Sequence, residues 1–238
     1  MQRIPACRFR SCGLQADGYE PRQVAALTTE RHDDGMKLYI TPGSPYARLA
    51  RILVIEKGLG QRVAVIEAAT RLPDSAYYRI NPSGRVPYLL DDAGTGMEDS
   101  QVICAYLDGL DGRPRFHLAE RESDWAYRRL EATARGFCDG ISVWIREARR
   151  RENERSPGVL AHEMARAARL ADVFEAEVTR PPLQGPPRMA HLLLAVSLEV
   201  ARARRMGDLT AGRPALAAWL QPLSAMESLR ATAPPAIP

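Results

Sequence analysis

The sequence predicts an α/β domain followed by an all-helical domain. Between residues 36 and 112, short β-prone segments alternate with helical ones. Beyond Pro114, apolar residues recur only at the three- and four-residue spacing of helices. We therefore predict an α/β domain over residues 36–112 and an all-α domain over residues 119–235. Residues 1–35 show no clean period and are predicted to be a poorly ordered extension or, alternatively, an arm that packs on the body.

Composition excludes several classes of protein. The 33 basic and 29 acidic side chains leave a net charge of +4, which is too small and too scattered for a nucleic-acid surface. No apolar run approaches the roughly 20 residues that a membrane helix needs. The four cysteines lack the paired spacing of a disulfide framework or a metal site, and they indicate a reduced, cytoplasmic protein: Cys7, Cys12, Cys104 and Cys138.

The first domain begins with a strand, a helix and a second strand. Residues 37–41 are β-prone and a Pro-Gly turn follows them. Ser44 then occupies the N-cap position of a helix that has proline at its first position and ends at Gly58. Residues 62–67 form the next β-prone run. Because a helix connects the two strands, we expect them to be parallel.

The remaining elements are predicted from the same signals, namely β-prone runs, turn residues and helix caps. Residues 86–90 and 96–99 are predicted strands joined by a polar turn, and a helix follows over residues 100–110. Ser123 is the expected N-cap of the first long helix of the second domain. The amphipathic pattern predicts four helices in this domain, at about residues 127–148, 160–178, 189–203 and 214–223.

Ser44 is the first candidate for chemistry. The free N–H groups and the dipole at a helix N-terminus favour an anion. A hydroxyl at that point can donate a hydrogen bond to a thiolate that a ligand brings in, and so lower the thiol pKa from about 8.5. The alternative interpretation is that Ser44 only caps the helix.

Two further features lie at strand ends. Pro87 follows Val86 at the start of a buried strand, where a cis bond would leave the Val86 N–H and C=O free for an extended peptide ligand. Asp99 and Ser100 stand at a strand-to-helix junction, where a carboxylate can hold an α-amino group and a serine N-cap can hold an α-carboxylate. The alternatives are an edge-strand proline and an ordinary Ser100 cap.

The ordered set of these motifs resembles the glutathione transferases. Three segments carry the resemblance in the first domain, LYITPGSPYARLARILVIEKG, NPSGRVPYLL and EDSQVICAYLD, and a late segment, RPALAAWLQPLSAMESLRAT, carries it in the second. The resemblance spans about residues 36–235 and looks nearest the small bacterial members. It implies a thioredoxin-like N-terminal domain that binds glutathione, followed by the helical C-terminal domain of the family.

The resemblance also assigns roles to residues. It puts Ser44 at the position of the catalytic serine, and Asp99 with Ser100 at the pair that binds the γ-glutamyl group. Val86, before the expected cis-Pro87, would pair with the cysteinyl part of glutathione. The remaining expected binding residues are Arg85 and, ranked well below Ser44, Tyr39 at the position of the tyrosine of other classes. No cysteine lies in residues 41–48, which argues against the classes that form a mixed disulfide.

The implied function is that of a cytoplasmic, homodimeric glutathione S-transferase for detoxification, which conjugates glutathione to a small electrophile without a metal. A non-catalytic binding or regulatory relative, or a glutathione-dependent lyase, isomerase or peroxidase, remains open. The second substrate is expected near Tyr127, Arg128, Phe137 and Trp144. The Ser/Thr-x-x-Asp capping box of the family is absent at residues 188–191, so His191 is interpreted as structural.

Overall fold

Four short strands and two helices make up the first part of the chain in the computed structural model, which describes residues 35–117 and 125–235. The predicted extension and the Ser123 cap lie outside the described residues. In chain order the elements are β1 (Met36–Ile40), α1 (Pro45–Glu56), β2 (Val63–Glu67), β3 (Tyr88–Leu90), β4 (Gly96–Glu98) and α2 (Ser100–Gly109). The bounds of these six elements differ from those predicted by at most two residues, which is the usual uncertainty of helix and strand ends.

The strands form one mixed sheet in the order β2-β1-β3-β4. As predicted, β1 and β2 are parallel, whereas β3 is antiparallel to both β1 and β4. Tyr39 lies opposite Tyr88, and Tyr88 lies opposite Glu98, so these three residues form a row across the sheet. The ends of β1 and β4 and the start of β3 therefore meet at one edge.

The two faces of the sheet carry different clusters. Leu38 and Ile40 of β1 point into the main core, which α1 and α2 cover. Tyr39 points to the other face, where its ring packs on Tyr77 of a short 3-10 turn with ring centroids 5.6 Å apart. This alternation is the ordinary two-residue period of a strand.

The second part of the chain is helical, as predicted. It contains α3 (Trp125–Ala148), α4 (Pro157–Glu177), α5 (Met189–Ala203), α6 (Pro214–Ser224) and a short α7 (Glu227–Ala231). Helix α5 is apolar almost all round and is buried, since α1, α3 and α6 pack on it. In the described ranges, none of the helices combines the length and the hydrophobicity that a membrane crossing requires.

One continuous hydrophobic cluster runs through both parts of the chain. It includes Leu49 of α1, Phe137 of α3, Phe174 of α4 and Leu194 of α5. Because this core is shared, the boundary between the two predicted domains, near residues 112–119, stays a prediction.

Candidate functional site

The sheet register brings the predicted site residues to one edge. The row of Tyr39, Tyr88 and Glu98 is the last paired row at this edge. Continuing each strand two residues past this row leads to the turn at residues 41–44, to Val86 and to residues 99–100, so these three segments are neighbours. Neighbouring strands lie about 4.8 Å apart, so the three segments fall within roughly 10 Å. We name this group of segments the site edge.

Ser44 is the N-cap of α1, with Pro45 as the first helical residue. Its Oγ accepts the N–H of Ala47 at 3.2 Å, and in the described part of the chain no acceptor takes its hydroxyl proton. The first turn of α1 has no acidic side chain, so no carboxylate of the helix offsets the positive end of its dipole. Ser44 therefore does cap the helix, and its hydroxyl proton remains available for a ligand.

The Val86–Pro87 peptide bond is cis, which confirms the prediction. Strand pairing begins at Tyr88, and Val86 takes part in none of the described turn and loop hydrogen bonds of the backbone. The preceding loop is held by Tyr77 Oη and Asn81 Nδ2, which donate to the carbonyl of Arg85 at 2.5 and 3.0 Å. The exposed side chain of Arg85 has no part in that support.

The capping role at the start of α2 belongs to Asp99, and the expectation that Ser100 caps this helix is wrong. The Asp99 carboxylate accepts the N–H of Gln101 at 2.7 Å, and Asp99 has a φ of 75°. Aspartate tolerates this left-handed region better than most residues and is also a preferred cap, which explains the shift by one position. Ser100 is the buried first residue of the helix.

Other expected residues lie away from the site edge. Tyr39 is buried against Tyr77, on the second face of the sheet. Tyr127 and Phe137, expected beside the second substrate, are instead core residues: the Tyr127 hydroxyl accepts the N–H of Ala190 at 3.0 Å, and Phe137 packs on Phe174. The helical period placed these two side chains on the apolar face, which is the core face.

His191 takes the part of the missing acidic residue in the cap of α5, where the Ser/Thr-x-x-Asp box is absent from the sequence. Its Nδ1 accepts the backbone N–H of the N-cap residue Arg188 at 3.2 Å, and its ring stacks on Trp219. Burial lowers the pKa of His191 to about 4, and the charge of Arg188 acts in the same direction. The ring is neutral at pH 7 and structural, as interpreted from the sequence.

No thiol of the described chain is a suitable nucleophile. Cys104 and Cys138 are free and buried, and burial raises their pKa to about 12 and about 11. Within residues 35–117 and 125–235, no three His, Cys, Asp or Glu side chains group in a way that could hold a metal ion. Among the described residues, none can supply a thiolate at the site edge, whereas a ligand could bring one.

Two arginines were missed by sequence reasoning. Arg48 of α1 and Arg204 at the end of α5 are both buried, and both approach the junction of α1 with the helical part. Arg48 lies within a recognised segment but has no spacing signal for its partner Glu199. Arg204 lies 160 positions beyond Ser44 in the chain, so only the fold brings the two regions together.

Comparison with known proteins places this geometry in a family. The model of the glutathione S-transferase N-terminal domain matches residues 38–115. The uncharacterized GST-like protein YibF of Escherichia coli (strain K12) is 28% identical over 205 residues, which cover 84% of this chain and 99% of that protein. Glutathione S-transferase 2 of Saccharomyces cerevisiae is 32% identical over 90 residues, or 36% of this chain and 38% of that protein.

Solved structures share this fold over most of the chain. A glutathione S-transferase of Methylobacillus flagellatus KT with GSH bound is 25% identical, with a TM-score of 0.74 over 84% of this chain and 100% of that one. A glutathione transferase family member of Pseudomonas fluorescens Pf-5 with bound glutathione is 29% identical, with a TM-score of 0.72 and the same coverage. The site edge and the mixed sheet thus lie in the part of the chain that matches the glutathione S-transferase N-terminal domain, and the chain shares its fold with solved glutathione transferases.

Proposed function

We propose that the protein is a glutathione transferase, which binds glutathione as the thiolate and conjugates it to a small electrophile. The observation that carries this proposal is the site edge. The unpaired backbone of Val86 stands between two helix N-termini, one with Ser44 and the other with Asp99 and Ser100. The bound glutathione in the two similar crystal structures supports the same ligand.

Glutathione would bind across the site edge as an extended peptide. The α2 N-terminus and the Ser100 hydroxyl would hold the γ-glutamyl carboxylate, and the Asp99 carboxylate its ammonium group. The N–H and C=O of Val86 would pair with the cysteinyl residue, in the manner of an added strand. Arg85 is the exposed cation next to that segment and would meet the ligand from solvent. Tyr39 would act only by packing beneath the sheet.

The thiol would be activated by position. Its proton leaves to solvent, and the Ser44 hydroxyl and the α1 dipole stabilise the sulfur anion, so the thiol pKa falls below its usual value of about 8.5. The thiolate attacks an electrophilic carbon, a C–S bond forms, and in a substitution the leaving group departs with its bonding pair. Burial of Cys104 and Cys138 keeps these two thiols out of the reaction.

Ser156 offers a matched control for Ser44. Both serines are N-caps followed by proline, and the Oγ atoms accept N–H groups at 3.2 Å (Ser44) and 3.3 Å (Ser156). Each Ser→Ala change should lower the free energy of unfolding by about 1 kcal/mol. Only Ser44→Ala should also lower kcat, by about 100-fold with a general electrophile, because it removes the donor to the thiolate.

Two measurements decide the outcome. Thiolate absorbance of the glutathione complex, followed against pH, should show a higher thiol pKa in Ser44→Ala than in wild type or Ser156→Ala. Equal activity in all three proteins would contradict the role of Ser44. Calorimetric binding of glutathione without turnover, unchanged in Ser44→Ala, would favour a non-catalytic binding protein, whereas turnover restricted to isomerisation, lyase or peroxide substrates would favour those activities.

A cytoplasmic homodimer is part of the same proposal. Four large apolar side chains are exposed on the described surface of α2 and α4: Val102, Val159, Met164 and Val173. Exposed apolar groups of this kind are candidates for burial against a second subunit. Sedimentation velocity would measure the mass, and Met164→Lys should shift the distribution toward monomer if this surface is the interface.

A further inference from the structure

Arg204 extends from the helical part of the protein to the turn at residues 41–44, which precedes α1. It is the C-cap residue of α5, and it is 8% exposed. Its Nη2 lies so close to Gly43 that a Cβ atom at that position would collide with it. Gly43 directly precedes Ser44, so the guanidinium stands beside the N-terminus of α1. A side chain on residue 43 would displace it.

The guanidinium of Arg204 has no partner among the described residues. None of its nitrogens donates a hydrogen bond there, and no carboxylate forms an ion pair with it. Its Nε is fully buried and unpaired, whereas the two terminal nitrogens retain contact with solvent. A buried charge without a partner is costly, so the folded state of this chain does not by itself account for Arg204.

The surroundings of Arg204 increase that cost. Burial lowers its pKa, and the nearby positive charge of Arg149, at the end of α3, lowers it further. Arg149 is exposed and also lacks an ion pair in the described ranges. The first turn of α1 adds a third positive element without an acidic side chain. The Arg204 guanidinium and the α1 N-terminus thus bring two positive groups together where the reaction would occur, and Arg149 adds a third positive charge near Arg204. The acidic side chain that contacts the first turn of α1, Asp139 of α3, accepts a hydrogen bond from Tyr46 and does not pair with Arg204. A bound anion would therefore be stabilised by these positive groups.

We propose that Arg204, assisted by Arg149, binds a carboxylate of the second substrate, so that the protein acts on anionic electrophiles. This inference rests on the proposed transferase function. The carboxylate is assigned to the second substrate because the γ-glutamyl carboxylate of glutathione would lie at residues 99–100, across the sheet edge. The glycyl carboxylate is the competing anion, and calorimetry tests it: weaker glutathione binding in Arg204→Met than in wild type would assign Arg204 to glutathione and overturn the proposal. The single charge of the thiolate would already be met by Ser44 and the α1 dipole. A planar guanidinium with two free nitrogens suits a carboxylate in particular.

A pair of electrophiles tests this directly. A chlorodinitrobenzoate and its uncharged carboxamide react in the same way: the thiolate replaces chloride, a C–S bond forms and chloride leaves with the bonding pair. We expect the wild-type kcat/KM, divided by the rate constant of the uncatalysed reaction of each electrophile with glutathione, to be at least about 10-fold higher for the carboxylate. Arg204→Met should remove this preference and leave kcat/KM for the carboxamide within about 2-fold.

Further variants separate charge from folding. Arg204→Lys should retain part of the preference, because it keeps the charge but not the planar fork. Arg149→Gln should reduce it less than Arg204→Met, and its exposed position makes a folding defect an inadequate explanation. Arg202→Gln is the control, since Arg202 is two residues away and pairs with Asp208 at 2.9 Å. That variant should keep the full preference.

The outcomes distinguish the two proposals. If calorimetry detects no glutathione binding to the wild type, the transferase function itself fails. If glutathione binds and both electrophiles react equally well, only the assignment of Arg204 is overturned. Equal losses with both electrophiles in Arg204→Met, together with a raised thiol pKa, would also overturn it, because they would assign Arg204 to the thiolate.

Discussion

Arg48 and Arg204 are both buried beside α1, but their environments are opposite. Arg48 pairs with the Glu199 carboxylate, donates to the carbonyl of Leu229 at 2.9 Å and contacts Thr232 at 3.4 Å. Arg204, on the same helix as Glu199 and five residues later, has no acceptor in the described ranges. One cation is thus neutralised by the protein, and the other is not.

The presence or absence of a partner indicates a structural role for Arg48 and a binding role for Arg204. A buried ion pair that joins α1 to α5 and α7 holds the two parts of the chain in one arrangement. A buried cation with no partner contributes nothing comparable to the folded state, and its place beside Ser44 gives it a use only when an anion arrives. Substitution of Arg48 should therefore change stability, whereas substitution of Arg204 should change the preference between substrates.

Arg48→Met should have the largest effect on stability. It leaves the partly buried Glu199 without its partner, and loss of one member of a buried pair typically costs about 3–5 kcal/mol of unfolding free energy. Urea unfolding measures this loss. The double variant Arg48→Met/Glu199→Met should recover much of it, because no unpaired charge remains. A single variant as stable as wild type would break the comparison.

His191 provides a buried group that must stay neutral. Its pKa is lowered from 6.5 to about 4 in the folded protein, so protonation favours the unfolded chain below pH 6.5. Stability should fall by roughly 1.4 kcal/mol for each pH unit as the pH drops from about 6.5 toward 4. His191→Gln keeps an acceptor for the helix cap and should flatten this slope. Urea unfolding at several pH values would measure this slope. An unchanged slope in His191→Gln would show that another titrating group causes the loss of stability in acid.

Asp108 is a buried carboxylate that the backbone satisfies. It accepts the N–H groups of Arg115, Phe116 and His117 at 2.8–2.9 Å. Burial alone would raise its pKa, but these bonds outweigh burial and hold the pKa below its usual range. Its contribution is therefore present above pH ~3.9 and is lost as the pH falls through the lower folded value.

Asp108→Asn should lower the unfolding free energy by about 2 kcal/mol at neutral pH, because charged acceptors make the stronger hydrogen bonds. The difference from wild type should shrink in acid. Asp111→Asn, at the neighbouring exposed carboxylate that pairs with Lys57, is the control and should have a smaller effect. Equal effects of the two variants would contradict the importance of burial.

Arg204→Met should have the smallest effect on stability. Since no partner is lost, the unfolding free energy should change by less than about 1 kcal/mol or rise slightly. The same urea series used for Arg48 measures it. A loss as large as that of Arg48→Met would show that Arg204 has a structural role, and the contrast between the two arginines would disappear.

Much of the fold could be predicted from local patterns. The parallel pair β1 and β2, the cis bond before Pro87 and the helices from α3 to α6 all follow from periodicity or from residue types with strong backbone preferences. The cap at α2 was misassigned by one residue because Asp99 and Ser100 are both good caps. The choice depended on the backbone conformation of Asp99, which local composition does not specify.

The sequence by itself determined the order of elements and the residues of the site edge. Ser44, Val86 and Asp99 each follow a local signal, because caps, prolines and strand ends act over a few residues. Only the tertiary structure decided which buried charges are paired. The Arg48–Glu199 pair and the approach of Arg204 to Gly43 join positions 151 and 161 residues apart in the chain, and no spacing rule reaches that far. Partner choice in the core depends on how helices pack, and packing is a property of the whole chain.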